Sequence, residues 1–172
     1  MATFFVIVNI LHTIGTTFGV GASTFALTFY ISALMDGAID TSEKRFLHVV
    51  YVMLRIGMTL IVLSLVLFFV LAYRAGATGP LPANPLYLME WTLMAVIIVN
   101  AILMTAHKMP MSVGPVLAGG SWYSLFFISA LPLGGFSYTT LLLFYAAFLA
   151  VFFAGFALIK NHFVKPARMV AV

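Results

Sequence analysis

The chain has 172 residues, of which 64% are hydrophobic and only 7% are charged, too few polar groups to cover the surface of a water-soluble domain. It contains no cysteine, which excludes disulfides, thiolate metal sites and cysteine nucleophiles. The formal net charge is +4, but the basic residues stand singly beside apolar segments, as topology determinants do. We therefore expect no nucleic-acid partner.

Five apolar segments follow one another along the chain, separated by short connections. A helix needs about 20 apolar residues to cross the hydrocarbon layer, and these segments are far longer than the roughly 10-residue strands of a membrane barrel. We predict a single all-α membrane bundle over residues 1–172, with about five transmembrane helices. The predicted spans are 4–34, 46–73, 86–106, 112–133 and 138–159.

The first and fourth segments need separate comment. The first lacks the basic leader of a signal peptide, and its apolar run is longer than the 7 to 15 residues expected of one, so we interpret it as a retained helix. The fourth contains Gly114, Pro115, Gly119 and Gly120, and it either crosses completely or begins as a broken, re-entrant piece.

The lysines and arginines in the connections predict the orientation, because cytoplasmic loops carry the excess. With five spans, most of the basic residues fall on one side of the membrane, namely Lys44, Arg45, Lys108, Lys160, Lys165 and Arg168. The opposite side has only Arg74. This asymmetry predicts an outside N-terminus and a cytoplasmic C-terminus in a bacterial inner membrane, with the lipid bilayer as the surrounding partner.

The first helix carries the clearest polar pattern. His12, Gly15 and Gly19 recur at spacings of three and four residues and therefore share one helix face. Gly15 and Gly19 form the small-xxx-small motif that lets two helices approach closely. We therefore expect His12 to point into the bundle, either as a hydrogen-bonded structural histidine or as a ligand or proton carrier.

The second helix places His48, Tyr51, Arg55 and Thr59 on one stripe. Arg55 lies about 15 Å from the cytoplasmic end of its segment, from the rise of 1.5 Å per residue. At that depth we expect Arg55 to have an internal partner. It serves either as a structural anchor or as the binder of an anionic group such as a haem propionate, a quinone carbonyl or a lipid phosphate.

Chain direction and helical rise predict two polar layers. Near the outer side, His12 and Glu90 fall at similar depth, with Ser129, Tyr138 and Tyr145 as candidate neighbours. Glu90 either belongs to a proton or ion path with His12 and Arg55, or sits at the interface beside Trp91.

The second layer lies near the cytoplasmic side, where three histidines each fall within about a turn of a helix end. His48, His107 and His162 either ligate a haem iron or another metal, or face water and headgroups at the interface.

The opening run 11–15, LHTIG, is followed by Gly19 and Gly21 and by a long second helix. Over roughly residues 8–70 it resembles a set of small bacterial membrane proteins that includes the membrane-type protoporphyrinogen oxidase and the copper-resistance D-type proteins, which are haem-associated. The resemblance implies that His12 is a candidate haem ligand. The Trp-Gly-Gly pattern that often follows this histidine is replaced here by the run 18–21, FGVG.

Three functions are consistent with these residues. The first is a membrane redox protein that binds haem b or quinone, with ligands among His12, His48, His107 and His162 and with Arg55 countering anionic charge. The second is a non-catalytic subunit or assembly factor that packs through Gly15 and Gly19 against other membrane subunits or a second copy. The third is a small proton or ion transporter or channel that uses His12, Glu90 and Arg55.

Overall fold

The computed structural model describes residues 2–36, 41–76, 83–110, 112–131, 133 and 135–170, with side chains as far as residue 162 except at residues 2, 34 and 36. Lys165 and Arg168, which enter the predicted charge asymmetry, therefore have side chains outside the described residues. The described chain forms five helices. They are α1 (Ala2–Asp36), α2 (Thr41–Arg74), α3 (Pro85–Thr105), α4 (Gly114–Ala130) and α5 (Tyr138–Val170).

Four of the five helices, α1, α2, α3 and α5, are long and apolar enough to cross a membrane. The predicted span at 112–133 is shorter in the structure, because α4 has only 17 residues, a length of about 25 Å. Pro115 lies in its first turn, and Leu131, the residue before Pro132, has the extended backbone (ψ 147°) that a following proline favours. The prolines at its two ends thus agree with the limits of this helix.

Helices α1 and α2 form a closely packed pair, as the Gly15–Gly19 motif predicts. A Cβ placed on Gly15 would lie 2.8 Å from Ile61 Cγ1, and one on Gly57 would lie 2.9 Å from the Gly15 carbonyl oxygen. The glycine face of α1 is therefore used inside the bundle. It is not the exposed surface that the predicted subunit or assembly-factor role would need.

The short helix α4 lies within the bundle and contacts α1, α3 and α5. Trp122, Leu125 and Val116 on α4 are almost completely buried, as are Ile61 on α2 and Met94 on α3. Late in α1, Leu27 contacts Gly119 near the start of α4, whereas early in α1, His12 contacts Ser129 near the end of α4. Helix α4 is thus antiparallel to α1, and its far half brings a polar side chain to the level of His12.

The two ends of the bundle are named here after α3, which begins at Pro85 and ends at Thr105. At the Pro85 end, Asn84 caps α3 by accepting hydrogen bonds from the first-turn backbone N–H groups of Leu86 and Tyr87. At the Thr105 end, the N–H of His107 donates to the carbonyl of Met104, and the N–H of Lys108 to that of Leu103. This pair of bonds is a Schellman motif, in which His107 takes the left-handed position (φ 55°) that glycine usually occupies.

Candidate functional site

The imidazole of His12 lies between three helices and uses both of its ring nitrogens. Nδ1 is 3.0 Å from Ser64 Oγ on α2, and Nε2 is 3.0 Å from Ser129 Oγ on α4. The ring faces inward because Gly15 and Gly19, on the same face of α1, are buried against α2 and α4. A side chain from each neighbouring helix therefore fixes the orientation of this histidine.

The carboxylate of Glu90 on α3 lies beside the same imidazole. Its Oε1 atom is 3.7 Å from His12 Nε2, and the two side chains are only 15% (His12) and 18% (Glu90) exposed. The depth reckoning from the sequence is confirmed for this pair and for Ser129. Four helices thus each contribute one polar group, and together His12, Ser64, Glu90 and Ser129 are called the His12 cluster below.

The hydrogen bonds of the cluster are consistent with two protonation states. The hydroxyl of Ser64 is 2.7 Å from the carbonyl oxygen of Ile61, and the hydroxyl of Ser129 is 2.8 Å from the carbonyl oxygen of Leu125. If both serines donate to these carbonyls, both must accept from the ring, which requires an imidazolium facing the Glu90 carboxylate. If the ring is neutral, one serine must turn its hydroxyl proton toward the bare nitrogen. The cluster can therefore accommodate either protonation state of the ring by rotating a single O–H bond.

The His12 cluster lines a cavity of about 580 Å³ near the Pro85 end of the bundle. Asn84 and Tyr87, from the beginning of α3, line it together with Thr13 and Thr16 of α1. Aromatic and aliphatic side chains complete the wall, among them Leu65, Phe68 and Phe126. The site is thus a partly polar chamber with room for water or for a small molecule.

A tightly packed layer lies between this cavity and the other half of the bundle. The indole ring of Trp122 lies so close to Gly19 that a Cβ on that glycine would overlap ring atoms Cε3, Cζ3 and Cδ2. Farther along α1 and α4, a smaller cavity of about 50 Å³ is lined by Ser23, Tyr30 and Pro115, among others. Along both helices, the Trp122–Gly19 contact therefore separates the two cavities.

Arg55 does not have the internal partner that its depth in the predicted span led us to expect. Its side chain is exposed, and within the described part of the chain no hydrogen bond or ion pair reaches it. The reason is rotational: Gly57, which packs on α1, is two residues away and therefore about 200° around the helix. Arg55 does not line the His12 cavity, so the structure does not place it on a path with His12 and Glu90.

The three histidines of the predicted inner layer do not form a site in the described residues. His48, His107 and His162 are each exposed. Among the residues that the structure describes, no three His, Cys, Asp or Glu side chains are close enough together to hold a metal ion. His107 instead terminates α3, as described above. Haem ligation by His12 would require breaking one of its two serine bonds.

Two predicted neighbours of His12 have other partners, and one member of the cluster was not predicted. The hydroxyl of Tyr138 lies 3.0 Å from Thr92 Oγ1, and that of Tyr145 lies 2.8 Å from Ser121 Oγ. Ser64 was missed, although it is seven residues from Gly57 and so shares the face of α2 that packs on α1.

Comparison with protein-family models, with curated proteins and with solved structures finds no match for this chain. The resemblance of its opening helix to haem-associated proteins therefore stays a prediction, and the functional argument depends on the His12 cluster and its cavity.

Proposed function

We propose that this chain conducts protons through a membrane, with His12 and Glu90 as the groups that take up and release them. The observation that carries the proposal is the hydrogen bonding of His12. Both ring nitrogens contact a serine hydroxyl at 3.0 Å beside a carboxylate, in a cavity of about 580 Å³. Histidine and carboxylate side chains inside membrane proteins are typical of proton relays, since a charged group in hydrocarbon is costly without such a role.

The Trp122–Gly19 contact is the gate in this proposal. Protons reach the His12 cluster through water in the large cavity, and they cannot continue until the indole ring leaves Gly19. The smaller cavity beyond, with the hydroxyls of Ser23 and Tyr30 in its wall, then receives them. Conduction is therefore slow and limited by motion of α4 against α1.

The same proposal includes an orientation in the membrane. Four basic residues lie at or near the Thr105 end of the bundle: Lys44, Arg45, Lys108 and Lys160. At the Pro85 end, Arg74 is the last residue of α2. Under the positive-inside rule, the His12 cavity then opens outward, the N-terminus is outside and the C-terminus is cytoplasmic, as in a bacterial inner membrane. Helix α4 serves as a fifth, short crossing that other helices shield from lipid.

The test is proton uptake into liposomes that contain the purified protein. A pH-sensitive dye inside the vesicles reports proton entry when a potassium diffusion potential, negative inside, is imposed with valinomycin. Wild-type protein should acidify the lumen faster than empty vesicles do. Glu90→Gln and His12→Gln should each reduce the rate at least about tenfold, a threshold set below the 10²–10⁴-fold contribution typical of positioned proton-transfer groups.

Matched controls separate the relay from general damage to the fold. His48→Gln changes an exposed histidine far from the cavity and should leave the rate unchanged. Trp122→Ala should increase the rate by removing the gate, provided that its circular dichroism spectrum remains helical. If the wild type conducts no faster than empty vesicles, or if Glu90→Gln conducts as fast as the wild type, the proposal is wrong.

A second candidate function is the binding of a quinone head group in the same cavity. It is favoured by the aromatic walls, Phe68, Tyr87 and Phe126, next to an imidazole that could donate to a quinone carbonyl after releasing one of its serine partners. Titration with a short-chain ubiquinone, followed by intrinsic fluorescence, should then give saturable quenching that His12→Gln and Phe68→Ala both weaken. Quenching that increases linearly, or equally in both variants and the wild type, would reject this candidate.

A further inference from the structure

A third cavity lies on the outside of the bundle, between α2 and α3. Its volume is about 890 Å³, and its walls are mainly aliphatic, including Val62, Leu63, Val66 and Ile102. Among the helix pairs that touch in the described chain, α2 and α3 have the fewest contacts, which leaves the space between them open. We call this space the α2–α3 groove.

One end of the groove carries a positive charge. Arg55 lines it there, at the level of Thr105 and Ala106, where α3 ends. No described side chain neutralises Arg55, and the connection that follows α3 adds Lys108 at the same end of the bundle. The hydroxyls of Thr59 and Thr105, also in the wall, each donate to a carbonyl of their own helix and retain a lone pair. The charged end is therefore complementary to an anion.

The length of the groove matches one leaflet of a bilayer. From Arg55 to Val66 there are eleven helical steps, or about 16 Å, and half of the hydrocarbon layer is about 15 Å thick. An arginine at one end of an apolar groove of this length has the amphipathic profile of a phospholipid. A soluble anion would leave the aliphatic wall without a partner.

We propose that the α2–α3 groove binds an anionic phospholipid, with its phosphate on the Arg55 guanidinium and an acyl chain along Val62, Leu63 and Val66. The guanidinium can hold two phosphate oxygens in a forked pair of hydrogen bonds, which lysine cannot reproduce. This site is separate from the His12 cavity, and it does not depend on proton conduction.

Native mass spectrometry of delipidated protein in detergent tests the proposal. Added phosphatidylglycerol should bind at one strong site, at least about tenfold tighter than phosphatidylcholine. Arg55→Gln should weaken phosphatidylglycerol about tenfold or more, as expected for loss of a charged hydrogen-bonded pair. Arg55→Lys should recover part of that affinity. The matched control Arg74→Gln, at the other end of α2, should bind like the wild type.

A variant that fills the groove tests the acyl chain independently of the charge. Ala101→Phe places a ring in the groove and should weaken both lipids, even if Arg55→Gln does not yield folded protein. Glycerol phosphate at millimolar concentration should not displace phosphatidylglycerol, whereas a free-phosphate site would release it. Equal phosphatidylglycerol binding by the wild type and Ala101→Phe, or an Arg55→Gln change seen only as a shift from dimer to monomer, would overturn the proposal.

Discussion

Replacement of Gly19 by alanine tests the contact that closes the centre of the bundle. The added methyl group would overlap three atoms of the Trp122 ring, and Trp122 is only 1% exposed. Forcing an extra methyl group into a well-packed core costs about 1–3 kcal/mol. Gly21→Ala is the matched control, because nothing lies within 4 Å of its Cβ position on the same helix.

Both substitutions gain the same helix propensity, at most about 1 kcal/mol, so their difference isolates the overlap with the indole. We expect Gly19→Ala to be less stable than Gly21→Ala by about 1–3 kcal/mol when unfolding by SDS is followed by circular dichroism in mixed micelles. In a Trp122→Phe background the difference should shrink, since the smaller ring leaves room for the methyl group. Equal stability of the two alanine variants in the native background would refute the close approach of α1 and α4.

Three further substitutions probe other contacts by the same unfolding measurement. Asn84→Ala removes the cap of α3 and should lower the free energy of unfolding by about 1 kcal/mol, whereas Asn84→Ser should retain most of it. His107→Gly removes the strain of a left-handed backbone and should raise the free energy of unfolding by up to about 1 kcal/mol. A lower free energy of unfolding would mean that the His107 side chain stabilises the end of α3. Tyr145→Phe removes the hydroxyl that contacts Ser121 and should cost about 0.6 kcal/mol, and less in a Ser121→Ala background.

The existence of the helices could be predicted from apolar length alone, but their ends could not. Hydropathy marks the part of a helix that lipid surrounds, whereas backbone hydrogen bonding continues through polar residues. Helix α2 therefore begins at Thr41, ahead of the predicted span at 46–73, and α5 continues to Val170, beyond the predicted end at 159. For α4, the flanking prolines describe the limits better than the hydrophobic run did.

The sequence could predict how deep each site residue lies along its helix, but not the direction in which its side chain faces. Helical rise places His12, Glu90 and Ser129 at one level, and the structure joins them there. Tyr145, by contrast, contacts Ser121, and Arg55 faces outward, because the rotation of each helix depends on which of its faces packs closest. For α2 that face contains Gly57, so the small residues were a better guide to orientation than the polar stripe.

The position of α4 also dictates the order in which the bundle can assemble. Helices α1 and α2 leave the ribosome first and can pair at once through Gly15 and Gly57. Helix α4, with Ser121 and Ser124 buried on its surface, contacts α5 as well as the earlier helices. Its polar face is fully covered only when the last helix is in place. Chains that stop before α5 should therefore be recognised by membrane proteases as unfinished, although all four helices of the His12 cluster are already present.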